Sequence, residues 1–152
     1  MKTQAWLFVV AQFVIFAVLA AAYVLLPVGQ VLWARLLGLL LTALGLSLVM
    51  VAILTQAMVN KNLVKISPEP NTHNQLVQAG VYRFVRHPIY TGVMFTALGT
   101  ALVHGHLIAL LIAIGLCAFF AYKSTFEERW LMQVYPDYAT YRQHTGRFLP
   151  FL

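Results

Sequence analysis

Five side chains of this sequence could act together on a small charged ligand. Arg86 and His87 sit in "VYRFVRHPIYTG", just before a long apolar run. Lys123, Glu127 and Glu128 sit in "KSTFEERWL", just after the next one. A cationic pair opens one apolar segment and a carboxylate pair closes its successor. If a short turn joins those segments as a hairpin, both pairs lie at one membrane face. A zwitterionic ligand would find a partner there for its carboxylate and another for its ammonium. Tyr82, Tyr90, Tyr138 and Tyr141 add stacking faces and hydroxyls. Each part also has a plainer reading. Interfacial Arg and His are common anchors, and Lys123 four residues before Glu127 predicts a helix-surface ion pair worth a few tenths of a kcal/mol (about 0.2–0.5).

The elements that must position these groups follow from hydropathy. Of 152 residues, 61% are hydrophobic and 9% are charged, where a soluble domain carries about a quarter charged. The expectation is an all-α polytopic membrane protein, one membrane domain over residues 1–152, with about four transmembrane helices. Residues 1–58 supply two of them. Ala5 to Leu26 carries no charge and is long enough to span a core of about 30 Å. Its length favours a retained span over a signal peptide. "LPVGQ" is a turn by its Pro and Gly, and Val31 to Met58 returns. Ala34, Gly38, Thr42 and Gly45 fall on one face of that second span, as ordinary close helix packing requires.

Residues 59–152 form the other half. Asn60 to His87 is a polar insert with a "SPEP" loop. It is too long for a minimal connector and too rich in embedded apolar residues for disorder. Pro88 suits the first turn of a helix, and Pro88 to Val103 is a short third span. "HGH" (His104 to His106) reverses the chain as an exposed turn. Leu107 to Tyr122 is the fourth span, and its helix continues toward Pro136. The aromatic, basic tail suits the headgroup region. Lys and Arg avoid the two short turns and gather in the N-terminus, the insert and the tail, so these meet in the cytoplasm with both termini.

The same observations exclude classes. Net charge is +6, but no soluble basic face exists to bind nucleic acid. One cysteine, Cys117, gives no disulfide framework and lies in an apolar run, where it packs. Five scattered histidines lack metal-ligand spacing. No phosphate loop or Ser–His–Asp elbow is visible.

"LVQAGVYRFVRHPIYTG", "EERWL" and "YPDYATYRQHTGRFLPF" together resemble the isoprenylcysteine carboxyl methyltransferase and phospholipid methyltransferase superfamily, in its short bacterial-type form. The resemblance covers Asn74 to Phe151. It implies S-adenosylmethionine as methyl donor, in a cytosolic pocket closed over by a C-terminal lid, and residence in a bacterial inner membrane. It implies donor contacts at Asn74, Gln75, Leu76, Val77, Tyr82, His87, Pro88, Ile89, Tyr90 and Glu127, with Arg86 and Glu128 supporting them. Where the carboxyl methyltransferases have an arginine facing the acceptor carboxylate, this chain has Lys123, which keeps the charge without the bidentate fork. Tyr135 and Pro136 replace a Phe-Gly pair, one residue short. The implied acceptor is lipid-like or amphipathic and carries a carboxylate, amine or thiol, with membrane lipids as surroundings. Two other readings stand beside this one. A membrane reductase of related C-terminal architecture would bind a nicotinamide dinucleotide, and a non-enzymatic membrane protein would use the charges as anchors alone.

Overall fold

The computed structural model describes residues 2–60 and 75–150. The "SPEP" loop and the expected donor contact Asn74 lie outside these residues. Among the described residues there are five α-helices: α1 Lys2–Leu25, α2 Leu32–Asn60, α3 Pro88–His104, α4 Leu107–Val134 and α5 Tyr138–Gln143. A short 3-10 turn, Gly80–Arg83, precedes α3. Helices α1, α2 and α4 are long and apolar enough to cross a membrane. Helix α3 has 17 residues, about 25 Å of rise, and lies packed between α2 and α4.

The predicted small-residue face of α2 explains the most extensive helix contact, that of α2 with α3. A Cβ on Gly45 would lie 2.6 Å from the Gly92 carbonyl oxygen, and one on Gly99 would lie 2.4 Å from Thr42 Oγ1. Only hydrogen at these positions lets the two backbones approach this closely. The second face of α3 joins α1 and α4 in the main core. Met94, Ala97 and Ala101 meet Leu19, Ala109, Ala113, Leu116 and Phe120 there. The outer faces of α1 and α2 stay apolar and exposed, with Trp6, Phe13, Leu36 and Leu40 turned outward as lipid contact demands.

The two short turns meet at one end. The Gly29 N–H donates to the His104 carbonyl at 2.8 Å, and Arg35 donates to the Gly29 carbonyl at 2.6 Å. Gly105, in the left-handed region at φ 76°, ends α3. His104 departs from the expected exposed turn. Its ring is buried, lies 5.3 Å from the Tyr23 ring, and has no hydrogen-bond partner on either nitrogen among the described residues. The cause is register, because His104 is the last residue of α3 and falls on its packed face. At the opposite end the polar segments gather, as the charge distribution predicts.

Candidate functional site

The site begins with how the chain enters α3. Pro88 occupies the first helical turn and His87 is the N-cap. A proline there loses no hydrogen bond, since the first turn's N–H groups have no helical partner. The segment before the proline lies outside any helix, so its backbone groups are free to pair. It pairs with the tail through a parallel bridge, Val85 to Gly146. Arg86 N–H donates to the Gly146 carbonyl at 2.9 Å, His87 N–H to the Arg147 carbonyl at 3.1 Å, and Gly146 N–H to the Phe84 carbonyl at 3.0 Å. Thr91 Oγ1 donates to the Phe148 carbonyl at 2.8 Å, and Tyr141 Oη to the Tyr82 carbonyl at 2.6 Å. The tail is thus a clasped strap across the entry of α3.

Beneath the strap lies Glu128, 2% exposed. Arg86 Nε donates to its Oε1 at 2.9 Å and His87 Nε2 lies 3.3 Å away. Arg147 Nη2 is 3.3 Å from its Oε2, and Arg142 Nε is 3.7 Å. Arg86 also donates to the carbonyls of Arg142 (3.1 Å) and Thr145. One carboxylate therefore collects the cations of both the α3 entry and the strap. A buried charge persists only when it is paired in this way.

Glu127 stands apart. It keeps 29% of its side chain exposed, and His87 Nδ1 lies 3.8 Å away. Tyr90 Oη donates to its Oε2 at 2.7 Å. The Tyr90 ring stacks on His87 at 5.4 Å with a 3° interplanar angle. His87 therefore sits between two carboxylates, one consumed by arginines and one open.

Lys123 corrects the expected ion pair with Glu127. Its Nζ donates instead to Gln12 Oε1 of α1 at 2.8 Å and lies 5.1 Å from the Tyr90 ring centre and 5.8 Å from that of Phe120. Burial removes the water that makes a surface i, i+4 pair easy, and α1 packs against α4 at this level. Gln12, alone among apolar neighbours in α1, was the sequence signal that could have found this contact.

The remaining expected contacts fall into two groups. Tyr82, Pro88 and Ile89 lie against the α3 entry. Tyr82 packs with Val77 and Ala52, with Ile89 against them, and its hydroxyl reaches Gln56 Oε1 at 3.4 Å. Burial, then the charges of Tyr141 and Glu127, push its phenol well above the usual range. Gln75 and Leu76 instead line a cleft of about 400 Å³ with Gln78, Val134, Tyr135, Pro136 and Asp137. Small-molecule sites run from about 300 to 1,000 Å³. The cleft sits at the end of α4, two helical turns beyond Glu127, or about 10 Å. Tyr138 and Tyr141, the next tyrosines along the chain, are both buried. Burial is the first cause that raises both phenols, and Tyr141 reaches about 12. Among the described residues, no group of three His, Cys, Asp or Glu side chains gathers as a metal site.

These features fit a ligand that joins a cation to a nucleoside-sized body. The partly exposed carboxylate of Glu127, held by Tyr90, answers a cation, and the cleft has room for a nucleoside.

Three helices long and apolar enough to span a membrane mark an integral membrane protein, with a charged cluster where α3 begins and α4 continues past its apolar run. The chain belongs to the phospholipid methyltransferase family, which it matches over residues 33–138. It is 33% identical over 122 residues to protein-S-isoprenylcysteine O-methyltransferase B of Arabidopsis thaliana, covering 79% of this chain and 61% of that protein. It is 34% identical over 89 residues to the corresponding Schizosaccharomyces pombe protein, 57% of this chain and 38% of that one. A solved structure of a eukaryotic intramembrane Ras methyltransferase, isoprenylcysteine carboxyl methyltransferase, superposes with TM-score 0.68 at 27% identity. It covers 99% of this chain and 53% of that chain. The chain thus spans about four- to six-tenths of the length of these relatives.

Proposed function

We propose that this protein is an S-adenosylmethionine-dependent methyltransferase of the membrane, acting on a lipid-like or amphipathic acceptor. The observation that carries the reading is the division of labour between adjacent glutamates. Glu128 is paired with Arg86 and Arg147, whereas Glu127, oriented by Tyr90, stays partly exposed and pairs with no arginine among the described residues. A purely structural cluster would need no second, unconsumed carboxylate at the same place.

When bound, S-adenosylmethionine supplies an electrophilic methyl group on a sulfonium. The chain's part is to align two reactants and exclude water. Glu127, Tyr82 and the His87–Tyr90 segment bind the donor's amino-acid end, and Gln75, Leu76 and the cleft take its nucleoside. Arg86 and Glu128 act as positioning residues, because their charges are engaged in holding the strap. Lys123 faces the acceptor from the hydrocarbon side. It uses one of three ammonium donors on Gln12, which leaves donors for an anionic group entering between α1 and α4. An ammonium acceptor would first shed a proton, and His87 between the two glutamates is the base within reach. The concentration of basic residues at this end supports a cytoplasmic orientation of the site and both termini.

Titration calorimetry with S-adenosylhomocysteine tests the reading on detergent-solubilised protein. Saturable binding is expected, weakened about tenfold or more in Glu127→Gln, whose amide still accepts from Tyr90. No binding at millimolar ligand by folded protein would overturn it, and a nicotinamide dinucleotide would be titrated next.

A further inference from the structure

The cleft at the end of α4 carries a carboxylate that the fold leaves unused. Gln75 and Gln78 bring carboxamides to its lining, Asp137 brings the carboxylate, and Leu76, Val134 and Pro136 bring apolar surface. Gln75, Gln78 and Asp137 are all exposed, so a ligand can reach them. Asp137 is the N-cap residue of α5. An aspartate there ordinarily gives its carboxylate to the N–H groups of the first helical turn. This one does not, because its backbone is already in the right-handed helical region and its side chain makes no capping bond. Nor does it form an ion pair among the described residues, since Arg142 and Arg147 of the same tail both turn to Glu128.

The chemistry of this lining decides what fits it. An ionised carboxylate only accepts hydrogen bonds, and its two oxygens suit a pair of neighbouring hydroxyls. The diol of a ribose is such a pair, and a carboxylate on ribose hydroxyl is the recurrent solution in dinucleotide-binding folds. Each carboxamide offers both a donor and an acceptor, which the edge of an adenine can answer. Leu76, Val134 and Pro136 give a base its apolar wall. No lysine or arginine stands among the described lining residues. A phosphate on the sugar would meet one negative charge with no cation to offset it, so the cleft favours a nucleoside without phosphate.

We propose that Asp137 is a specificity-determining residue of the donor site, whose carboxylate accepts hydrogen bonds from the ribose hydroxyls of the bound adenosyl compound. The proposal rests on the methyltransferase reading and adds to it a contact that the sequence resemblance does not supply. The cleft lies about 10 Å along α4 from Glu127. A ligand whose amino-acid end meets Glu127 therefore turns its nucleoside toward Asp137.

The test compares wild-type protein and Asp137→Ala in the full chain. Calorimetry measures the affinity of each for S-adenosylhomocysteine and for its dideoxy analogue, which lacks both ribose hydroxyls. Wild-type protein is expected to bind the analogue about tenfold or more weakly, as the loss of a hydrogen bond to a charged group requires. Asp137→Ala is expected to lose about the same factor for S-adenosylhomocysteine, yet to bind the analogue within about twofold of wild type, because the two changes remove one interaction. Thermal unfolding without ligand should give both proteins the same Tm, since the carboxylate has no bond in the fold to lose. Wild-type affinity for S-adenosylhomocysteine in Asp137→Ala would overturn the proposal. So would an equal loss for both ligands, since the carboxylate would then act by charge or shape and not on the hydroxyls. A lowered ligand-free Tm in the variant would also overturn it, by giving the carboxylate a structural role. Failure of the wild-type protein to bind S-adenosylhomocysteine overturns the broader reading instead, so the two failures are distinguishable.

Discussion

Arg86→Met should loosen the strap without unfolding the helical bundle. Arg86 and Glu128 have side chains 8% and 2% exposed, with Nε 2.9 Å from Oε1. Removing one partner of a buried pair costs about 3–5 kcal/mol, because the other charge is left in a poor solvent. Glu128 keeps His87 and Arg147, each at 3.3 Å, so the lower end of that range applies, about 3 kcal/mol. The loss falls on the tail, because Arg86 also holds the carbonyls of Arg142 and Thr145. Local opening should therefore become about a hundredfold easier. Hydrogen exchange reads this at the amides of His87 and Gly146, which bond across the bridge. Their protection should fall by about that factor, while amides in the middle of α2 and α3 change little. Adding Glu128→Met should restore at least half of the lost protection, since removing both charges removes the burial cost of each. Unchanged protection in Arg86→Met, or a double variant worse than the single one, would refute the account of the strap as held by a buried charge.

Three further outcomes follow from the same geometry. Gly45→Ala should destabilise the α2–α3 pair by about 1–3 kcal/mol, since its Cβ would meet the Gly92 carbonyl oxygen at 2.6 Å. Thermal unfolding measures this, and a wild-type Tm would show that the helices part at little cost. Lys123→Met should leave S-adenosylhomocysteine affinity within about threefold while abolishing turnover of anionic acceptors, and equal loss of both would move Lys123 into the donor pocket. Stability should also fall as pH rises from about 10, where free tyrosines ionise, toward about 12, where Tyr141 does. Over that window the unfolded state binds fewer protons than the folded state, so unfolding becomes easier. Tyr141→Phe should flatten the slope of Tm against pH, and an unaltered slope would place Tyr141 outside the buried set.

Much of this arrangement could be read from residues. Pro88 located the start of α3 because a proline is tolerated in the first turn of a helix. The two short turns without Lys or Arg showed that the charged segments share one end. The closeness of the Arg86–His87 pair to the Glu127–Glu128 pair followed from the hairpin. What could not be read depended on contacts distant in sequence. Helical spacing suggests Lys123 with Glu127, yet Lys123 is claimed by Gln12, 111 residues away, through packing of α1 on α4 that no local pattern encodes. Likewise, nothing in "HTGRF" announces a strand-like segment. It becomes one because the backbone at Phe84 to His87 offers unpaired groups. His104 was misjudged because a turn-forming glycine beside it suggested exposure, whereas its own position is set by the helix it ends.

The parallel bridge has a consequence for how the protein is made. Its two sides, Phe84 to His87 and Gly146 to Arg147, lie about sixty residues apart, with α3 and α4 between them. During synthesis the N-terminal side is finished first and must wait while both helices are threaded into the bilayer. Until Gly146 leaves the ribosome, Arg86 and Glu128 face each other without Arg147, and the backbone groups at Phe84 to His87 stay with water. Membrane insertion and completion of the pocket are therefore separate events in time. A nascent chain halted between α5 and Gly146 would be integrated yet unable to close its own site.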